Sequence, residues 1–249
     1  MIVIIASFAL LISYVNWDSR EKEARQVSQR VLTRTVSEVE YYYRESARSA
    51  QSLVDNQARI EGIYKYFSLS TPDYFYWQLE RKASPYISVS IYENIDDLYV
   101  RNDFVTGVAI VLQDSTEVYV STRDNRSGYK VSADAFKPDA NSFAVPVSDP
   151  VSDQDLGVIY VSVSSDVFYK AIDNTRGNIP IAVSITSPFE TDMFHQGEKS
   201  DREEWLQDET AHGYQVQVAV PRGYVLSGSI SSSVFILALS LLFIVILYV

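Results

Sequence analysis

The sequence predicts an α+β domain, a long helix followed by an antiparallel sheet, set between two apolar ends. Three observations carry this. Met1 to Val15 hold no charged residue, and Val234 to Val249 form a second apolar run broken by one serine. Between Asp18 and Gly62 there is neither glycine nor proline, and apolar or small residues recur at Leu32, Val36, Val39, Tyr43, Ala47, Ala50 and Val54. Steps of three and four along that series are the signature of one helix face. From residue 105 onward the period falls to two, as in Val108, Ile110 and Leu112 against Ala109 and Val111.

The apolar ends are expected to be transmembrane helices, over residues 1–17 and 229–249. At 1.5 Å per residue each run covers roughly 22–24 Å, and a few flanking residues bring it toward the ~30 Å hydrocarbon core. Trp17 sits where an interfacial aromatic belongs. A signal peptide is the other reading of the first run, but a basic leading segment and a small-residue cleavage site are missing. The second run stops inside its apolar stretch, so the sequence reads as a fragment whose output machinery lies further on.

Residues 18–70 are expected to form a long helix rising from the first span. Its apolar stripe would either pack on the domain or pair with a second copy as a short coiled coil, which makes a homodimer the expected assembly. Residues 71–228 form the expected folded domain. Ser70-Thr71-Pro72-Asp73 starts a helix with Asp or Thr as cap and leads into Tyr74–Arg81. A further helix is expected over residues 84–98. Residues 108–112 and 117–122 read as a hairpin about Gln113–Thr116. Residues 123–141 read as a polar loop, and 143–147 as a short strand whose Pro146 marks an edge or bulge. Gly157–Val163 is the strongest strand, with Ser165-Asp166 capping a short helix over 167–172 that acts as a crossover. Strands are expected over 179–185 and 214–220, and loop with a short helix near 203–207 between them.

Composition excludes several functions. The net charge of −11 and a pI near 4.7 argue against nucleic acid or an anionic membrane surface as a partner, because phosphate contacts need basic patches. No cysteine is present, so neither disulfides nor thiolate chemistry enter. The two histidines, His195 and His212, lie in a polar stretch without metal-ligand spacing. No nucleophile elbow, phosphate loop or dinucleotide fingerprint occurs. No catalytic residue, metal or cofactor is expected, and this stretch of chain is not expected to be an enzyme.

Tyrosine is the outlying residue, at 18 of 249. Planar rings with a polar tip suit protein interfaces and stacking on sugar rings, and they also suit core packing. The run Tyr74-Phe75-Tyr76-Trp77 offers both. Tyr119, Arg123 and Tyr160 could reach a pocket from the strands, Arg123 with the forked geometry that suits a carboxylate or phosphate.

Taken with these elements, the chain resembles the extracellular Cache sensor domains, which share a PAS-like sheet. The resemblance lies in the long helix after the first span, Thr106–Leu112, Gly157–Val163 followed by a helix, and the closing strand and proline of Val216–Tyr224. It is closest to the sensing half of YesM-type membrane histidine kinases of Gram-positive bacteria. It implies a two-span protein of the cell membrane with its central domain outside. It further implies a small-molecule, glycan or protein ligand, held near Tyr74, Tyr76, Trp77, Arg81, Tyr119, Arg123 and Tyr160. Single and double Cache arrangements both fit. Tyr76, Trp77 and Arg81 supply the residue types of the amino-acid-binding members but not their order or spacing, so an amino-acid ligand is not implied. A two-span envelope scaffold, without ligand sensing, is the alternative.

Overall fold

The computed structural model describes residues 2–81, 90–197, 204–221, 223–225, 234 and 238, with side chains from residue 11 onward. Helix α1 runs Ile2–Ser52, α2 Gln57–Ser68, α3 Thr71–Arg81 and α4 Ile91–Arg101. Strands β1 (Val105–Leu112), β2 (Glu117–Thr122), β3 (Tyr129–Ser132), β4 (Ser142–Ser148) and β5 (Asp155–Val163) follow, and helix α5 (Asp166–Arg176) leads out of them. Strands β6 (Val183–Thr186), β7 (Asp192–Gln196), β8 (Glu204–Glu209) and β9 (Gln215–Val220) complete the order. The chain divides into two compact units, residues 39–167 and residues 1–38 with 168–249. The α+β class and the long first helix stand as expected. One sheet was expected and there are two, each antiparallel.

The rod ends earlier than its stripe suggests. Asn56 stops the helical register after Ser52 and opens α2, its side chain accepting from the Arg59 N–H at 3.0 Å. The cap of α3 is Ser70, not Asp73 or Thr71: Ser70 Oγ accepts from the Asp73 N–H and donates to its carboxylate.

In the unit of residues 39–167 the sheet runs β3-β2-β1-β5-β4. Register places Val108, Ile110, Ile159, Val161, Phe143 and Tyr119 on one face. That face carries the core, closed by Ala50, Leu53 and Val54 of α1, Ile60 and Ile63 of α2, and Ile95, Leu98 and Tyr99 of α4. Each such aliphatic side chain contributes roughly 1.5–3 kcal/mol by leaving water. Four members of the predicted stripe, Leu32, Val39, Ala50 and Val54, are at most 3% exposed within the single chain. These four are therefore packing positions of this chain, while Val36, Tyr43 and Ala47 between them stay partly exposed. Tyr42 and Tyr43 of α1 pack on Phe104 and Phe143, while Tyr41 is exposed.

In the other unit the sheet runs β7-β6-β9-β8. Val183, Ile185, Val216 and Val218 are fully buried, and Phe168 and Tyr169 of α5 meet Phe194 at 5.6 and 4.7 Å between ring centroids. On α1, Ala24 packs with Val220, Val225 and Leu206, Ser28 donates to the Ala219 carbonyl, and Arg25 forks onto Glu204 at 2.9 and 2.8 Å. Residues expected as loop and short helix are thus strands β7 and β8. The expected crossover helix, α5, leads from β5 of one sheet to β6 of the other rather than returning to its own.

Among the described residues no helix is long and apolar enough to cross a membrane. The first expected span, 1–17, falls on the start of α1, where Leu11, Tyr14 and Val15 are more than half exposed. The second, 229–249, lies outside the described residues apart from Val234 and Ala238.

Candidate functional site

Because strand side chains alternate, the sheet of residues 39–167 has a second face opposite its core. Register puts Gly107, Ala109, Ser142, Ala144 and Ser162 together there, flanked by Val120, Tyr129 and Tyr160. Small residues at the centre leave a hollow. The β3–β4 connection, residues 133–141, closes over it. The hollow is a cavity of about 250 Å³ whose lining includes Gly107, Ala109, Tyr129, Phe136, Lys137, Asp139, Ser142, Tyr160 and Ser162.

The closing segment is pinned at both ends. The Ala133 N–H donates to the Thr116 carbonyl at 2.8 Å, and the Phe136 N–H to the Ser132 carbonyl at 3.1 Å. At the far end the Ser142 N–H donates to the Asp139 carbonyl, and the Asn141 amide to the Val163 carbonyl. Phe136 is thereby set against Tyr160, centroids 5.6 Å apart and planes 60° apart, forming an aromatic corner. At the base Ser162 Oγ donates to Asp139 Oδ2 at 3.0 Å and sits 2.9 Å from Ser142 Oγ. With its one proton given to Asp139, Ser162 must accept from Ser142, so the relay runs Ser142, Ser162, Asp139. Gly107 leaves room beside it, since a Cβ there would make a tight 3.1 Å contact with Ser162 Oγ.

Of the seven residues expected at a ligand site, this cavity gathers Tyr160 alone. Tyr74 is buried, its hydroxyl accepting from the Ile91 N–H at 3.0 Å, and Trp77 stacks on its ring. Tyr119 is fully buried and points to the core face, within 5.3 Å of the Tyr66 ring. Burial pushes the Tyr66 and Tyr119 phenols well above the ordinary tyrosine value. Arg123 is spent on backbone, donating to the Val105 carbonyl at 3.0 Å and the Asn102 carbonyl at 2.6 Å, with its guanidinium 5.5 Å over Tyr99. Tyr76 is exposed, and Arg81 pairs with Glu61 at the surface. Sequence reasoning missed Phe136, Asp139, Ser142 and Ser162. The available signal was the run of small residues sharing the parity of Tyr160 across three strands.

A second depression of about 420 Å³ lies along Tyr92, Asp96, Asp97 and Arg126. It is larger but a shallower shelf, and Arg126 there is already paired with Asp96. The geometry favours the more recessed cavity on the sheet. Among the described residues no cluster of metal-ligating side chains occurs.

The class defined is an α+β protein with a long first helix and two antiparallel sheets, one in each unit, with a small polar-aromatic cavity on the sheet of residues 39–167. No protein family matches the chain, and no curated protein matches it. Among solved structures it is similar to the ligand-binding domain of the Campylobacter jejuni chemoreceptor Tlp3. The complex of that domain with L-norvaline gives a TM-score of 0.41 at 10% identity, over 83% of this chain and 91% of that one. Its complex with L-valine gives 0.39 at 11%, over 84% and 94%. A methyl-accepting chemotaxis protein X gives 0.38 at 10%, over 80% and 96%.

Proposed function

We propose that this chain is the extracellular signal-sensing region of a two-span membrane receptor, a Cache-type sensor whose output is a histidine kinase. The observation that carries the reading is a cavity built from residues the core does not use, on a sheet whose other face packs against a helix leading from an apolar end. Two sheets, not one, favour the double Cache arrangement over the single. Leu11, Tyr14 and Val15, exposed near the start of α1, suit lipid better than water. A ligand acts by preferring one packing state, and α1, which contributes to both units, is an element able to carry that preference onward. We place the homodimer contact away from Leu32, Val39, Ala50 and Val54 of α1, which the chain itself buries.

The chain lacks cysteine, so a single cysteine at Lys137 can be labelled selectively. In intact cells a membrane-impermeant maleimide is expected to label it. Labelling only after lysis sinks the external placement. Filling the cavity with Ala109→Leu in the full-length receptor is expected to uncouple kinase output from its stimulus, and an unchanged response refutes the cavity as sensor.

One observation favours the scaffold alternative: Phe75, Tyr76 and Leu79 of α3 are 50–65% exposed on one helix. If that is the working surface, Phe75→Ser with Leu79→Ser abolishes the biological effect while the cavity variant is silent.

A further inference from the structure

We infer that the cavity on the β1–β5 sheet takes a single neutral sugar ring; this rests on reading that cavity as the sensory site. Size comes first. At roughly 30 Å³ per water, a cavity of about 250 Å³ holds the bulk of about eight waters. That accommodates one monosaccharide ring. Shape is second. Phe136 and Tyr160 meet as a corner, with Tyr129 as a further wall, and rings so placed offer flat apolar surface to the C–H face of a sugar.

Polar matching is third. The Ser142–Ser162–Asp139 relay leaves the second Asp139 oxygen and the Ser142 lone pairs as acceptors. The Tyr129 and Tyr160 hydroxyls have no hydrogen bond among the described residues and can donate or accept. Lys137 adds a donor at the rim. A set that mixes acceptors, donors and amphoteric hydroxyls complements a ligand whose own groups are hydroxyls.

Charge is the deciding term. Lys137 and Asp139, two residues apart on one segment, cancel. A bare anion meets the Asp139 carboxylate. A bare ammonium finds aromatic faces but also meets Lys137. A zwitterion needs a firm carboxylate clamp, and Arg123, the arginine that follows β2, is held by the Val105 and Asn102 carbonyls.

The test is calorimetric titration of the full chain in nanodiscs with D-glucose, D-galactose, D-ribose, L-valine and glycine betaine. At least one of the three sugars is expected to bind, and Tyr160→Ala and Asp139→Asn are each expected to weaken it about tenfold or more. Tyr76→Ala serves as the silent surface control. If no sugar binds up to about 10 mM, well past useful affinity, the ligand class is overturned. Binding of L-valine or betaine that Tyr160→Ala abolishes overturns the class and keeps the cavity as the site. Sugar binding untouched by both cavity variants overturns the cavity reading itself.

Discussion

Replacing Tyr74 by phenylalanine separates a tyrosine that holds the fold from those that line the cavity. Ile91 is the first residue of α4, and the opening N–H groups of a helix have no partner within it. Here that N–H is buried and donates to the Tyr74 hydroxyl at 3.0 Å. Beside it the Gln78 amide donates to Ser90 Oγ at 2.8 Å, and Ser90 caps α4 by accepting from the Glu93 N–H. Tyr74→Phe keeps the ring and its stacking on Trp77 but strands the Ile91 N–H, a loss of about 1–3 kcal/mol. At about 2–4 °C per kcal/mol for a chain of this size, Tm falls by roughly 2–12 °C. Circular dichroism melts read the shift, and amide exchange at Ile91 reads its cause. Tyr76→Phe, on the exposed side of the same helix, is the control and stays within about 0.5 kcal/mol of the parent. A Tyr74→Phe melt equal to the parent, with Ile91 exchange unchanged, refutes the assignment.

Gly128 has φ +63° and an added Cβ would lie 2.6 Å from the Tyr119 ring, so Gly128→Ala is expected to lower stability by more than about 1 kcal/mol in urea unfolding. Arg123→Ala removes two charge-assisted bonds to backbone carbonyls and is expected to cost about 1.5–3 kcal/mol in the same assay, without altering ligand affinity. Raised folded-state phenols mean that Tyr66 and Tyr119 hold their protons past the ordinary value of 10.0 they recover on unfolding. Their contribution to stability is therefore full below about pH 10 and drains away as pH rises above it. Tyrosinate absorbance should show a late fraction that appears together with loss of the far-ultraviolet signal, and a fully titrated yet folded protein contradicts the burial.

Much of the fold was legible because it is local. The three-four stripe of α1, the hairpin at 108–122 and the strand at 157–163 each announce themselves within one continuous stretch of sequence. Strand β8 did not: Glu-Trp-Leu-Gln-Asp-Glu carries three acids, and its extended state is set by pairing with β9, a non-local partner. The four-residue β3 was hidden in a polar stretch for the same reason, its pairing with β2 being what defines it. At the site Tyr160 could be found because it lies on the strongest strand. Asp139 and Phe136 arrive there through the path of a loop, which propensity does not describe. Tyr74, Tyr119 and Arg123 have the chemistry of ligand contacts but are consumed by a buried amide, an aromatic core and two carbonyls.

The alternation along β1 and β5 has an evolutionary consequence. Ile110 and Ile159 hold the domain together, while Ala109 and Tyr160, one step along the same strands, bound the cavity. Substitutions of one parity are filtered by foldability and those of the other by whatever the cavity accommodates. A lineage can therefore alter the walls of this cavity by exchanging residues at 109 and 160 while leaving its thermodynamic scaffold inherited intact.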